Sequence, residues 1–348
     1  MNNLKTIAFA AVSALALSAC GGSGGGEGGG ARDFVRAVGS STLYPFATAV
    51  AEKVAGAGVK SPVIESTGTG AGMKLFCAGV GAAHPDIENA SRRMKASEFE
   101  DCKKNGVTEI IEIQVGLDGI AFAEASDGPN MKLTPAQVYK ALAATPFGKR
   151  QTAKNWSDID PSLPAAPILV YGPPTTSGTR DALKELILEP GCKTDPAMAA
   201  LKDSDKDAYE KACTTVREDG AYVEGGENDN LLVQKISQNP KAIGVFGFSF
   251  LEENMDKLKG VPMSGVAPTY ATISDFSYPG ARPLYIYVKK AHLGPIKGLK
   301  DFISEWPNVW GPDGYLKAKG MVIAPDDVRA RSADVVKNLT IMDGTGLK

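Results

Sequence analysis

Residues 34 to 54 read Phe34-Val35-Arg36-Ala37-Val38-Gly39-Ser40-Ser41-Thr42-Leu43-Tyr44-Pro45-Phe46-Ala47-Thr48-Ala49-Val50-Ala51-Glu52-Lys53-Val54. A short apolar run, a turn of small hydroxyl residues and a second apolar stretch at helical spacing predict a strand, a loop and a helix in direct succession. The same order returns twice. Val63-Ile64 leads through Ser66-Thr67-Gly68-Thr69-Gly70-Ala71-Gly72 into Met73 to Cys77, and Ile168 to Tyr171 leads through Thr175-Thr176-Ser177-Gly178-Thr179-Arg180 into a helix from Asp181 to Leu188. Apolar runs alternating with helices predict an α/β protein with covered, mostly parallel sheets.

Working outward, strands are expected over Glu112 to Ala123, Ile243 to Phe248 and Leu284 to Val288. Helices are expected over Pro135 to Ala143, Asn230 to Asn239 and Ile296 to Trp306. No repeat of fixed period is present. The stretch Trp156 to Pro161, rich in Asp and followed by prolines, predicts a turn-rich connection. Two long runs, Gly116 to Ala123 and Arg282 to Val288, are placed to cross between lobes. The lobes are then expected at 32–118 plus 284–348 and at 119–283, with the paired crossings as a hinge and a ligand cleft between them.

The turns carry the candidate chemistry. The first turn of a helix leaves backbone N–H groups unpaired, its dipole favours negative charge, and small Ser, Gly and Thr let a tetrahedral anion approach. Arg180 adds a planar, permanently charged fork. A third polar corner, Asn89-Ala90-Ser91-Arg92-Arg93, brings two more arginines that face a ligand or solvent. One such turn is explained by ordinary capping. A buried anion needs several to converge, because each contact contributes roughly 0.3 to 2 kcal/mol against the loss of its hydration.

At the N-terminus, Lys5, the apolar core Ile7 to Leu17 and the lipobox-like Leu17-Ser18-Ala19-Cys20 predict a lipoprotein signal over 1–19. Cys20 is then lipidated, and residues 20–31, nearly all glycine, form a tether. The apolar core is too short to span a bilayer. The net charge of −2 drops by one more when Lys5 leaves with the signal, which gives no support to a broadly basic nucleic-acid surface. Recognition of an anion falls to local dipoles and a few arginines.

With Cys20 assigned to lipid, four cysteines remain, with three possible connectivities. The local pairs Cys77 with Cys102 and Cys192 with Cys213, each inside one expected lobe, are the chosen disulfides. No CxxC is present and His84 and His292 stand isolated, which argues against a metal site and leaves both histidines surface or capping roles. Neither sits in a polar corner, so Ser41 and Ser177 lack a base and an enzyme is not expected. Gly68 to Gly72 fits neither GxGxxG nor a Walker loop, so no nucleotide or other cofactor is expected.

The chain resembles the phosphate-binding lipoproteins of the bacterial Pst-type ABC transporter, in the periplasmic-binding-protein family. The resemblance rests on GSSTLYPF at 39–46, STGTGAGMKLF at 66–76, ASRRM at 90–94, TTSGTRDAL at 175–183, AIGVFGFSFLEEN at 242–254 and ARPLYIYV at 281–288. It implies a two-lobed type II periplasmic-binding-protein fold, a monomer tethered by its lipid to the cell-envelope membrane and exposed to the periplasm. It also implies capture of inorganic phosphate and delivery to permease subunits. Carried over by motif, the ligand contacts are Ser41, Thr42 and the Leu43 amide, Thr69 and the Gly70 amide, and Ser177, Gly178 and Thr179, with Ser91, Arg92 and Arg180 beside them.

Two departures stand out. Arg92 occupies the place of a family aspartate, and Pro173 that of a family arginine, so Arg92 or Arg180 is expected to supply the positive charge. A carboxylate acceptor rewards the proton on phosphate and repels sulfate. Asp118, Glu227 and Asp229 are the candidates to replace the missing one. The departures keep other ligands open, namely arsenate, sulfate, molybdate or an organic phosphate, and with them a surface lipoprotein that senses phosphate.

Overall fold

A computed structural model describes residues 31–56, 59–175, 177–226 and 229–347. The expected signal sequence, the lipidation at Cys20 and nearly all of the glycine tether lie outside the described residues.

The strands among them are β1 (Arg36–Gly39), β2 (Val63–Ser66), β3 (Ile87–Ala90), β4 (Ile110–Ala125), β5 (Val170–Gly172), β6 (Tyr222–Glu224), β7 (Ile243–Gly247), β8 (Leu258–Gly260) and β9 (Ala281–Lys289). Their order is β2-β1-β3-β9-β4-β7-β5-β6, with β8 also on β4. Two parallel blocks emerge. In one, β1 pairs with β2 and β3; in the other, β5 pairs with β6 and β7.

The antiparallel pair β4 and β9 joins the blocks. Residues 110–119 of β4 pair with β9, while 120–125 of the same strand pair with β7 and β8. A register shift between Gln114 and Gly116 interrupts the ladder, the kind of irregularity that bends a strand. Gly116 leaves room there for Met321, whose Sδ would stand 2.6 Å from a Cβ at that position.

Helices cover the sheet. Helix α1 (Tyr44–Gly56) buries Phe46, Val50 and Val54, and α2 (Thr69–Phe76) buries Met73 and Phe76. Helix α3 (Ala96–Lys104) turns Phe99 and Cys102 inward, and α4 (Pro135–Leu142) starts at Thr134, whose hydroxyl accepts from the Gln137 amide at 3.2 Å. The segment expected as a turn forms α5 (Trp156–Ile159), a single helical turn boxed by Asn155 and Asp158 over the buried Trp156. Helix α6 (Gly178–Ala182) begins three residues before the expected start and runs on through a wider π turn, Leu183–Leu188, into Glu189–Cys192.

Apolar burial divides into separate cores. One gathers residues from 117 to 281 with Val322 and Ala324; the others gather residues below 116 and above 283. Each buried Val, Leu, Ile or Phe adds about 1.5 to 3 kcal/mol. Both chosen disulfides are formed: Cys77–Cys102 ties α2 to α3, and Cys192–Cys213 ties the end of the α6 continuation to the helix Lys206–Cys213.

One expectation is corrected. His292 is buried, not at the surface: its Nδ1 lies 2.6 Å from Asp86 Oδ1 and its Nε2 accepts from the Gly81 amide at 2.8 Å. Asp86 also pairs with Arg32 and accepts from the Arg36 amide at 2.7 Å. Among the described residues no helix is long and apolar enough to cross a membrane.

Candidate functional site

Strand β1 ends at Gly39, whose φ of 123° lets the chain leave the sheet sharply. The turn that follows is pinned from both sides: the Ser40 amide donates to Asn89 O at 2.7 Å, and the Thr42 amide donates to Ser40 Oγ at 3.1 Å. Leu43 anchors it, its side chain wholly buried in the core under α1. At the second turn Gly68 again takes a positive φ, and Thr69 opens α2. Thr69 Oγ1 lies 3.0 Å from Ser91 Oγ and accepts from the Ser91 amide at 3.1 Å, so the second and third polar corners are locked together.

The turn before α6 comes from the other block. Ser177 caps that helix by accepting from the Thr179 amide at 3.2 Å. Gly178 lies against the first turn so closely that a Cβ would stand 2.5 Å from the Thr42 nitrogen. Two hydroxyls bridge the contact: Thr42 Oγ1 donates to Gly178 O at 3.2 Å and Ser41 Oγ donates to Asp181 Oδ2 at 2.6 Å.

Two hollows flank Ser41. The smaller, about 160 Å³, has Thr69, Gly70 and Ser91 on one wall and Asp181 and Glu185 on the other. The larger, about 570 Å³, is lined by Thr42, Ser177, Gly178 and Thr179 and extends to Asp118, Phe250 and Lys319. Among the described residues no group of three or more His, Cys, Asp or Glu is placed to hold a metal ion.

Residues 24–306 match the PBP superfamily domain. The chain belongs to the PBP superfamily. Protein SphX of Synechococcus elongatus is 34% identical to it over 269 residues, covering 74% of this chain and 69% of the relative. Phosphate-binding protein PstS of Staphylococcus saprophyticus is 32% identical over 296 residues, covering 83% and 80%. A crystal structure described as a possible phosphate binding protein from Planctomyces limnophilus is similar with a TM-score of 0.71 and 29% identity, covering 88% of this chain and 98% of that one. The curled mixed sheet with helices on its faces is the type II architecture of this superfamily, whose members bind solutes and are not enzymes.

In this PBP-superfamily protein, Ser41, Thr42, Thr69, Gly70, Ser91, Ser177, Gly178 and Thr179 all line one or both hollows. Arg92 and Arg180, expected to face the ligand, line neither. Arg92 forks onto Glu98 at 2.9 and 2.7 Å. Arg180 turns into its own block, donating to Pro173 O at 3.1 Å and stacking 4.4 Å over the Tyr222 ring. The reason is helical geometry. One step along a helix rotates a side chain by about 100°, so Asp181 faces the hollow and its predecessor cannot.

Lys319 lines the larger hollow, and a second cation, Arg282 of β9, which motif reasoning passed over, lines neither hollow but holds residues that do. It is 3% exposed and donates to Thr42 Oγ1 at 2.6 Å, to Asp118 at 3.1 Å and to Glu185 at 2.8 Å. Its signal was a lone charge inside an apolar run expected to cross between lobes. Of the carboxylates suggested for the missing aspartate, Asp118 is held by Arg282, while Glu227 and the side chain of Asp229 lie outside the described residues. Burial pushes the Glu185 carboxyl upward, with Arg282 opposing and Asp181 adding. Its side chain keeps 42% of its accessibility, so solvent moderates the effect.

Behind the turns lies Glu88 of β3, wholly buried between Gly39 and Gly72 with neither carboxyl oxygen hydrogen-bonded. Burial pushes its pKa well above the carboxylate range, with Glu98 adding and Arg92 opposing. Burial therefore favours its neutral form over the carboxylate.

Proposed function

We propose that the chain captures inorganic phosphate outside the cytoplasm and delivers it to the permease of an ABC transporter. What carries this reading is the meeting at Ser41 of hydroxyl- and glycine-rich turns from both sheet blocks, with a buried arginine donating to one of them. A small anion there is surrounded by main-chain hydrogens and hydroxyls in place of water. Relatives named for phosphate binding support the same ligand. The lobes are taken as 32–118 with 284–348 and 119–283, hinged at β4 and β9. An anion bound by both favours the shut form, because contacts from the second lobe exist only there. A lipid on Cys20 holds the monomer at the membrane.

Calorimetric titration of the purified protein tests this. Phosphate is expected to bind tightly at a 1:1 ratio, with Ser177→Ala and Thr69→Ala each weakening it about tenfold. Silence with phosphate sinks the proposal. A second reading, an organic phosphate, is favoured by one feature: the larger hollow continues past Thr179 to Phe250 and Lys319, farther than an inorganic anion requires. Competition by phosphate monoesters separates the two.

A further inference from the structure

We propose that Glu88 governs the affinity of this site from behind it: its buried carboxyl must keep its proton for the turns above it to hold an anion at full strength, and ionising it weakens that hold. The inference rests on the anion-binding reading above and adds a residue that lines neither hollow. Glu88 acts through its charge on the turns that do.

The carboxyl sits under the junction of two binding turns. Gly39, where β1 passes into Ser40 and Ser41, accepts from the Thr67 and Gly68 amides, both at 2.8 Å, and so ties the first turn to the second. A Cβ on Gly39 would stand 2.7 Å from Glu88 Oε1, and a Cβ on Gly72, near the start of α2, would collide with Glu88 Oε2. Glycine inside a helix is destabilising relative to alanine, and here its bareness is the space the carboxyl fills. Ser40, Gly68 and Gly70, chain neighbours of these contacts, line the smaller hollow. One layer of backbone therefore separates the carboxyl from the place of the anion.

Filling space needs no carboxyl. Glu88 is wholly buried and neither oxygen has a hydrogen-bond partner, an arrangement that costs stability for the acid and far more for its anion. The surroundings supply no charge to offset it. Arg92 and Glu98, from the third corner and α3, fork onto each other at 2.9 and 2.7 Å and bring no net charge; the other charges of α3 are exposed. Tyr287, the register partner on β9, has its hydroxyl on Glu112 and the Met94 amide, and Lys289 beyond it donates to Gly79 O. Arg36 of β1 goes to Glu65, Lys74 of α2 is exposed, and Asp86 of the same strand is held by Arg32 and His292. An ionised Glu88 thus sets its charge against the anion across Gly39 and competes for the α2 dipole. Unit charges roughly 8 Å apart at an effective dielectric of about 20 repel enough to cost on the order of tenfold in affinity. Burial already raises the proton affinity of Glu88, and a bound anion raises it further, because proton and anion favour each other reciprocally. Affinity is then full below the raised value and falls as the pH climbs through it.

The test is calorimetric titration of the full mature chain with phosphate, for wild type and Glu88→Gln, at several pH values between about 5 and 9. The titration of phosphate itself is common to both proteins and cancels in the ratio of their affinities. That ratio is expected to be steady in acid and to shift about tenfold in favour of Glu88→Gln as the pH climbs. Runs in buffers of different ionisation heat are expected to show wild type taking up more protons per phosphate than the variant. A ratio that stays constant across the range, or equal proton counts, overturns the inference, since a purely structural carboxyl changes affinity by one factor at every pH. Carbon-13 carboxyl resonances of wild type labelled at glutamate supply an arm that needs no variant. One carboxyl is expected to titrate well above the others and to move further up when phosphate is added; no such carboxyl, or one that phosphate leaves unmoved, overturns the inference too. If wild type ignores phosphate altogether, the anion-binding reading itself has failed, whereas tight binding with a constant ratio removes Glu88 alone.

Discussion

Arg180 and Arg282 stand beside the same cleft, 5% and 3% exposed, and are used in opposite ways. Arg180 belongs to the motif that resembles an anion-binding loop, yet its guanidinium is spent on Pro173 O and the Tyr222 ring inside one block. Arg282 sits in a joining strand and touches the first turn, β4 and the α6 continuation at once. Nearness in sequence to a binding loop does not deliver a charge to it. The direction in which the backbone aims the side chain does.

The largest expected effect is at Arg282. Its replacement by Ala leaves Asp118 and Glu185 without their cation and Thr42 without its donor. Phosphate affinity is expected to fall about 100-fold and stability by about 2 to 3 kcal/mol, the latter discounted because Glu185 is partly exposed. Titration calorimetry and urea unfolding read the two. Arg282→Lys keeps the charge but loses the fork, so it should fall between.

The same contrast recurs within a few residues at the edge of β3. Asp86 and Glu88 are both wholly buried, but Asp86 has Arg32, His292 and a backbone amide as partners while Glu88 has none. The folded chain therefore holds the Glu88 proton to a higher pH than the unfolded chain, whose carboxyl ionises near 4.5. Above that pH the unfolded state binds fewer protons, so the stability contributed by Glu88 is full below it and is lost as the pH climbs through the raised folded value. Each unit of displacement is worth roughly 1.4 kcal/mol. Urea midpoints measured between about pH 5 and pH 8 should decline less steeply for Glu88→Gln than for wild type, and parallel slopes would break this half of the comparison.

The smallest effect on binding is expected at Arg180. Arg180→Ala should cost about 1 to 2 kcal/mol of stability through the lost ring and carbonyl contacts, yet leave phosphate affinity within about twofold. A loss of affinity matching that of Arg282→Ala would erase the distinction between the two arginines.

Much of this architecture was legible in the sequence. The runs that became β1, β4, β7 and β9 are apolar because their sheets are largely covered, and the hydroxyl turns after β1, β2 and β5 announced themselves by composition. Strand β3 was harder to read, since Ile87-Glu88-Asn89-Ala90 hides two polar side chains in a fully buried strand. The three-residue strands β6 and β8 carry no periodicity, the helix Pro196–Ser204 buries no side chain fully, and the helix Lys206–Cys213 is too charged to stand out as core-facing. At the site, the hydroxyls and glycines were visible because they belong to local turns. Arg282 and Glu185 were not, because their roles arise from contacts made 97 residues apart in the chain.

The central claim is that one anion is held at Ser41 between turns from both blocks. Crystals grown with arsenate, whose anomalous scattering locates it independently of any model of the site, test it most directly. The predicted peak lies within hydrogen-bond reach of the Ser41 and Thr69 hydroxyls, facing Asp181. A peak elsewhere on the protein, or none at saturating arsenate, would contradict it.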